Sequence, residues 1–435
     1  MQGISRGLQP AHAAFAAAYP GESGRRQPVH TVYGGAHLFK ADSASRLGAL
    51  SLRALETYAP NATTFAQTLE LPDALAATIY ERVLEKLTRE PIEDFRIDFE
   101  DGYGTRPDAE EDGHAVAAAQ EVAKGFAAGT LPPFLGIRIK PFTAESHARS
   151  IRTLDLFLTT LTTINGGRLP DNFVVTLPKI VAPAEVAALA DIFDLLEPRL
   201  NLPASALKME MMIETTQSLI NERGEANLPQ LLEAARGRCV AAHFGTYDYT
   251  ANCTITAAYQ DMLHPACDFA RHIMQVSFAG TGVWLSDGAT NILPVAPHRG
   301  ELTSAQQAEN RAVVQRAWKL HYGHVRHSLT NAFYQGWDLH PAQLPTRYAA
   351  VYTFFLEGLA AASERLRNFV AKAAQATLVG DVFDDAATGQ GLLNYFLRAI
   401  NCRALTEQEA QELTSLSIED LRSGSFMKIL QNRQR

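Results

Sequence analysis

The chain has 435 residues, 46% of them apolar and 20% charged, an ordinary globular composition that excludes a disordered polymer. A net charge of -8 without any Lys/Arg tract excludes a surface built to track phosphate backbones, so no nucleic-acid partner is expected. No apolar run approaches the ~20 residues of a membrane span, so no membrane partner is expected, and four scattered cysteines without a CxxC pair read as reduced and cytoplasmic.

Residues 1–28 read as an N-terminal helical segment, with an Ala-rich stretch at 11–18 that Pro20 and Gly21 break. A strand at 29–33 ends at Gly34-Gly35, and Asp42 is expected to cap a helix carrying Leu47, Leu50, Ala54 and Tyr58 at helical spacing. Pro72 suits the first turn of a helix with Leu75, Ile79, Val83 and Leu87 on one stripe. Further strands are expected at 95–99, 135–139, 173–177, 207–213, 240–244, 283–285 and 337–339, with a helix at 183–196 among the connections. Eight strands alternating with helices predict an α/β fold, a (β/α)₈ barrel over residues 29–345, although a doubly wound sheet gives a similar alternation. Beyond Gln343, Tyr352, Phe355 and Leu359 form one stripe and Leu392, Leu393, Phe396 and Ile400 another, which predicts a C-terminal helical extension at 346–435 acting as a cap or an assembly surface.

The polar residues fall where the strands end. Asp98, Glu100 and Asp101 close the second run, Arg138 and Lys140 the third, Lys179 the fourth, Glu214 the fifth, Asp248 the sixth and His340 the eighth. In a barrel these C-terminal strand ends converge on one mouth, where such folds place their chemistry.

These segments resemble the citrate lyase beta subunits and their malyl-coenzyme A lyase relatives, within the HpcH/HpaI aldolase and citrate lyase superfamily. Arg96-Ile97-Asp98-Phe99-Glu100-Asp101-Gly102 is similar to that family's Asp-Leu-Glu-Asp strand end, and Gly136-Ile137-Arg138-Ile139-Lys140 to its Arg-x-Asn strand. Leu177-Pro178-Lys179-Ile180 resembles Leu-Pro-Lys-Val, Met212-Ile213-Glu214-Thr215 resembles Ile-Glu-Thr, and Phe244-Gly245-Thr246-Tyr247-Asp248 resembles Phe-Gly-x-x-Asp. The segment from Leu339-His340-Pro341 to Gln343 is similar to the closing Ile-His-Pro-x-Gln, and the six motifs keep the family's order. The resemblance implies a (β/α)₈ barrel, Mg²⁺ held by Glu214 and Asp248, a substrate carboxylate gripped by Arg138, and coenzyme A as part of some substrates. Gly245 to Asp248 also resembles the Gly-x-x-Asp of malate synthases, and Gly245 is expected among the substrate contacts. Three departures stand out: Lys140 where the family has Asn, Gly34-Gly35 in place of Pro-Gly, and an enlarged stretch at 246–278.

The chemistry asks for these residue types. Mg²⁺ takes few carboxylates and leaves positions for substrate oxygens, and a bound metal stabilises the enolate formed when a bond beside a carbonyl breaks. Arg138 offers a planar fork for a carboxylate, Lys140 a further cation for a second anionic group, and Lys179 either an anion contact or a partner for Glu100. The base is sought among Asp98, Glu100, Asp101 and His37, with Glu100 as a contact to a metal-bound water and His37 in the first strand-to-helix loop. Cys253, His264 and Cys267 are read as packing rather than a zinc site, and Asp287 and Asn291 as lining residues or a turn. The expected activity is a carbon–carbon lyase of retro-aldol or Claisen type acting on a small 2-oxo or hydroxy carboxylate or its acyl-coenzyme A thioester. Malate synthase-like condensation or thioester hydrolysis, and a non-catalytic carboxylate- or acyl-coenzyme A-binding accessory subunit, are the alternatives; a homo-oligomer is expected.

Overall fold

Eight short strands close on themselves in chain order: β1 (His30–Gly35), β2 (Asp94–Asp98), β3 (Phe134–Arg138), β4 (Phe173–Leu177), β5 (Lys208–Ile213), β6 (Cys239–Phe244), β7 (Trp284–Ala289) and β8 (Gln335–Asp338). Each is parallel to its neighbours, and β1 pairs with β8 to complete the barrel. The structure is a computed structural model that describes residues 2–372, 377–379, 382–384, 386–425 and 428–429. It is therefore the barrel, not the open sheet, and every expected strand is present with its ends shifted by a few residues at most.

Helix α1 (Gln2–Ala18) precedes the barrel, and α2 (Ser43–Tyr58), α3 (Ala62–Leu69) and α4 (Ala76–Arg89) lead from β1 to β2. After β2, β3 and β4 come α5 (Asp108–Ala128), α6 (His147–Ile164) and α7 (Pro183–Arg199). α8 (Thr216–Leu219) and α9 (Leu228–Ala234) follow β5, α10 (Thr246–Asn252) and α11 (Pro265–Phe278) follow β6, α12 (Ser304–Thr330) follows β7 and α13 (Leu344–Glu357) follows β8. The chain continues through α14 (Leu359–Ala371), the antiparallel pair β9 (Thr377–Val379) and β10 (Val382–Asp384), then α15 (Ala386–Asn401), α16 (Glu407–Thr414) and α17 (Ile418–Arg422).

The aliphatic core lies between strands and helices, where Ile97, Ile137, Val175 and Met211 meet Val83, Val122, Phe157 and Leu189. Inside the barrel the filling is polar. Arg96 donates to both carboxylate oxygens of Glu210 at 2.9 and 2.5 Å and pairs with Asp94, which also accepts from Thr31 Oγ1 at 2.8 Å. A buried cluster of this kind is tolerated only because each charge is paired and hydrogen-bonded.

One expectation changes. Asp42 stands at the N-cap of α2, but its side chain makes no cap hydrogen bond; Ser43 Oγ instead accepts from the Lys40 N–H at 2.9 Å. Beyond β8, α13 buries Tyr348, Val351 and Phe355, and Leu366, Phe369, Phe396 and Leu421 further along the chain join the same core. Among the described residues no helix is long and apolar enough to cross a membrane.

Candidate active site

Because side chains alternate along a strand, Asp94, Arg96 and Asp98 on β2 all point into the barrel, and Asp98 is the one that reaches the mouth. Arg138, at the matching height on β3, meets it directly: Nε and Nη2 donate to the two Asp98 oxygens at 2.7 and 2.5 Å. Asp98 also accepts from the Glu100 and Gly102 N–H groups, at 3.0 and 2.7 Å, so four donors occupy it. The lone pairs of Asp98 are thus engaged by these four donors, and the Nε–Nη2 edge of Arg138 is taken up by Asp98. What Arg138 has left is its Nη1 end, which lies 3.3 Å from Glu100 Oε2. The guanidinium is 2% exposed and sits over the rings of Tyr33, at 4.8 Å, and Trp337, at 5.4 Å, so its position is set from three sides.

Lys179 follows Pro178 after β4, in the left-handed region at φ 50°. For a non-glycine residue this is a strained conformation, of the sort that collects at functional sites. It turns the Lys179 N–H onto Glu214 Oε1 at 2.7 Å while the ammonium pairs with Glu100 and with Asp101 at 3.0 Å. The ammonium is also 3.9 Å from Asp248 Oδ2. The expected Lys179 to Glu100 pair is thus present, and burial, which would lower the lysine pKa, is outweighed by these carboxylates.

Glu214 ends β5 and is 2% exposed; Asp248 lies in the first turn of α10, half-exposed at the rim. Gly245 lets them approach, since a Cβ there would lie 2.5 Å from the Glu214 Cβ. Burial and then the nearby Asp248 charge push the Glu214 pKa up to about 7, against Arg138 and Lys179. Burial also raises Asp248, opposed by Lys179 and reinforced by Asp101. Asp98, Glu100, Asp101, Glu214 and Asp248 make five carboxyls facing two cations, Arg138 and Lys179. The surplus of anions and the hard oxygen donors fit a divalent cation such as Mg²⁺, which needs only one or two protein carboxylates. Among the described residues no group of three or more His, Cys, Asp or Glu side chains is arranged to hold a metal ion.

The other expected residues lie elsewhere. Lys140 does not join the cluster: β3 has ended, and its ammonium turns back to Glu111 at 2.6 Å and to the Phe99 carbonyl at 2.7 Å. His37 stands in a short 3₁₀ turn beyond β1, against Tyr103 and His114 with ring centroids 5.6 and 6.0 Å away. Among the described residues its Nδ1 has no partner, and burial, then Arg106 and His114, lower its pKa. Asp287 points out of the barrel to Arg271, at 2.9 Å, and Asn291 is exposed with its N–H on Tyr247 Oη. His264 Nδ1 accepts from the Ala266 N–H, and the buried Cys267 packs in α11. His340 Nδ1 accepts from the Ala342 N–H and caps a turn.

Sequence reasoning missed Tyr33 and Trp337, whose rings lie against Arg138. Parity offered a signal for Tyr33, two residues before Gly35 and two after the inward Thr31.

The sequence family described as Domain of unknown function (DUF6986) matches residues 8–429. No curated protein matches the chain in sequence. In fold the chain is similar to a citrate lyase from Burkholderia xenovorans LB400, at 17% identity over 89% of this chain and 96% of that one, with a TM-score of 0.58. It is also similar to protein CitE from Mycobacterium tuberculosis in complex with magnesium, acetoacetate and coenzyme A, at 14% identity over 86% of this chain and 99% of that one, with a TM-score of 0.50. At such identities the likeness is one of fold.

Proposed function

The chain belongs to the DUF6986 family, and we propose that it is a magnesium-dependent enzyme that makes or breaks a carbon–carbon bond beside the carbonyl of a small 2-oxo or hydroxy carboxylate, or of its coenzyme A thioester. The observation that carries this reading is the pair Glu214 and Asp248 on neighbouring strand ends, in a mouth where carboxyls outnumber cations. The similar fold of CitE, which holds magnesium, acetoacetate and coenzyme A, supports it.

Glu214 and Asp248 would hold Mg²⁺, which when bound supplies a Lewis acid for an enolate oxygen. The protein's own residues do the rest. Arg138, clamped by Asp98 and stacked on two rings, presents its Nη1 end to a substrate carboxylate without moving. Lys179 and Glu100, joined to each other, fix the rim and hold Asp248 and Arg138 in place through charge. Of the candidate bases, His37 is one whose Nδ1 has no partner among the described residues, whereas four donors occupy Asp98.

Enolate formation can be read without the natural substrate. Pyruvate, oxaloacetate or acetyl-coenzyme A incubated with the protein and Mg²⁺ in deuterated water is expected to exchange protons beside the carbonyl, followed by proton NMR. The exchange should disappear with EDTA and in Glu214→Gln. No exchange above the buffer rate with any of the three would contradict the enzyme reading and favour a non-catalytic carboxylate-binding role.

A further inference from the structure

Helix α1 stands off from the body of its own chain. Residues 7–18 are all exposed, Leu8 at 48% and Phe15 at 65%, and a Cβ added to Gly7 would meet nothing within 4 Å. Helices in proteins draw most of their stability from a packed apolar face, and this one is further weakened by Gly7 and an internal Pro10. It does carry such a face: Leu8, Ala11, Phe15 and Ala18 recur at helical spacing, and from Gly7 to Gly21 there is no Asp, Glu, Lys or Arg.

A surface that matches it lies on α11. That helix buries Cys267, Ala270, Met274 and Phe278 and turns Phe269, His272 and Val276 outward. Val276, at 81%, is the most exposed large hydrophobic side chain among the described residues, and Phe269 is 52% exposed. The charges of α11 are engaged away from this stripe: Arg271 pairs with Asp287 and Asp268, each at 2.9 Å, and Asp268 also pairs with His327 at 2.8 Å. Two uncharged stripes therefore each present a pair of large apolar side chains two turns apart, Leu8 with Phe15 and Phe269 with Val276.

The two stripes belong to one chain but do not meet within it. The segment after α1 is pinned just past the C-terminal end of α11, where the Gly21 N–H donates to the Gly280 carbonyl at 2.8 Å and the Tyr19 ring lies 3.6 Å from where a Cβ of Gly280 would be. Pro20 stiffens the bend between them, and α1 leaves it with Phe15, Phe269 and Val276 of the same chain all in solvent. A short, stiff hinge that holds an arm off its own body favours exchange of that arm between copies. Every copy carries both the arm and the seat, so the partner that fits is the chain itself. We propose that α1 docks along α11 of a second copy, with Leu8 and Phe15 against Phe269 and Val276, and that the reciprocal contact closes a two-fold dimer. The helices, of 17 and 14 residues, are about 25 and about 21 Å long, so they can lie together over most of their length.

Light scattering of the full chain at micromolar concentration should give a dimer. Phe15→Glu and Val276→Glu each put a charge into one stripe at an exposed position, so circular dichroism should stay unchanged while the dimer dissociation constant, read by analytical ultracentrifugation, rises at least about a hundredfold. The seat itself is read by cross-linking in a Cys253→Ser background. Full-length chains carrying His12→Cys and chains carrying His272→Cys, mixed and treated with a short bis-maleimide, should join into pairs, because the two positions lie in the facing stripes. A monomeric wild type, or a dimer whose affinity survives both substitutions in folded protein, would overturn the proposal. So would a chain carrying both cysteine substitutions that cross-links within itself while the mixed single variants stay unjoined, since α1 would then cover its own α11.

Discussion

Arg138 is the residue on which two demands meet. Its pKa is raised because Asp98 and Glu100 outweigh burial, so it is permanently charged, and its better edge serves Asp98 rather than a ligand. Arg138→Ala would strand a buried carboxylate with no counter-ion, a change that typically costs about 3–5 kcal/mol. Urea denaturation should therefore show a loss of that order together with loss of carboxylate binding. A variant as stable as the wild type would mean that Asp98 finds another partner and that the clamp is not what positions this side chain. Glu214 shows the opposite balance, since its charge is opposed by burial and by Asp248. Glu214→Gln is expected to leave the metal-free protein at least as stable as the wild type, measured by melting temperature.

At the scale of elements, the strand ends carry the account. Gly245 links β6 to α10 and lies under the Glu214 carboxylate, so Gly245→Ala should displace that side chain, weaken Mg²⁺ binding by at least about tenfold and leave the far-ultraviolet circular dichroism unchanged. Unchanged Mg²⁺ affinity in that variant would show that the close approach is incidental. The strands themselves could be read from sequence because they are short runs and six of the eight have a titratable residue at or just past their end. Direction and partner could not be read. Arg138 and Lys140 share strand parity, yet β3 stops at Arg138, and Lys140 turns to Glu111 on α5, a residue 29 positions away. The polar interior was equally hidden, because Arg96 and Glu210 look like interruptions of apolar strands until β2 and β5 face one another. Helix α12 went unseen for a related reason: it buries Asn310, His321 and His324 along with Val314 and Trp318, which blurs its apolar stripe.

For the whole molecule, the end of the barrel opposite the mouth is closed by charge. Glu93 is 1% exposed and accepts from the Val29 N–H at 2.8 Å, while Lys86 of α4 and Arg26 of the N-terminal segment pair with it at 2.6 and 3.0 Å. Burial would raise its pKa, but Lys86, Arg26 and His30 hold it down at about 2. A carboxyl depressed in the folded state stabilises fully above its unfolded pKa of about 4.5 and loses that contribution as pH falls to about 2, here on the order of 3 kcal/mol. The stability difference between wild type and Glu93→Gln should therefore close across that pH window in denaturant titrations. A difference that stays constant from pH 5 to pH 2 would show that Glu93 titrates normally.

The central claim is that the mouth holds a divalent cation between Glu214 and Asp248. Isothermal titration of Mg²⁺ into metal-free protein tests it most directly, with Glu214→Gln and Asp248→Asn run beside the wild type and circular dichroism confirming that both variants fold. The account predicts one saturable site in the wild type and a loss of affinity of at least about a hundredfold in each variant, because Mg²⁺ depends on few protein ligands and each carries charge. Wild-type affinity retained in either folded variant, or no saturable binding in the wild type, would contradict it.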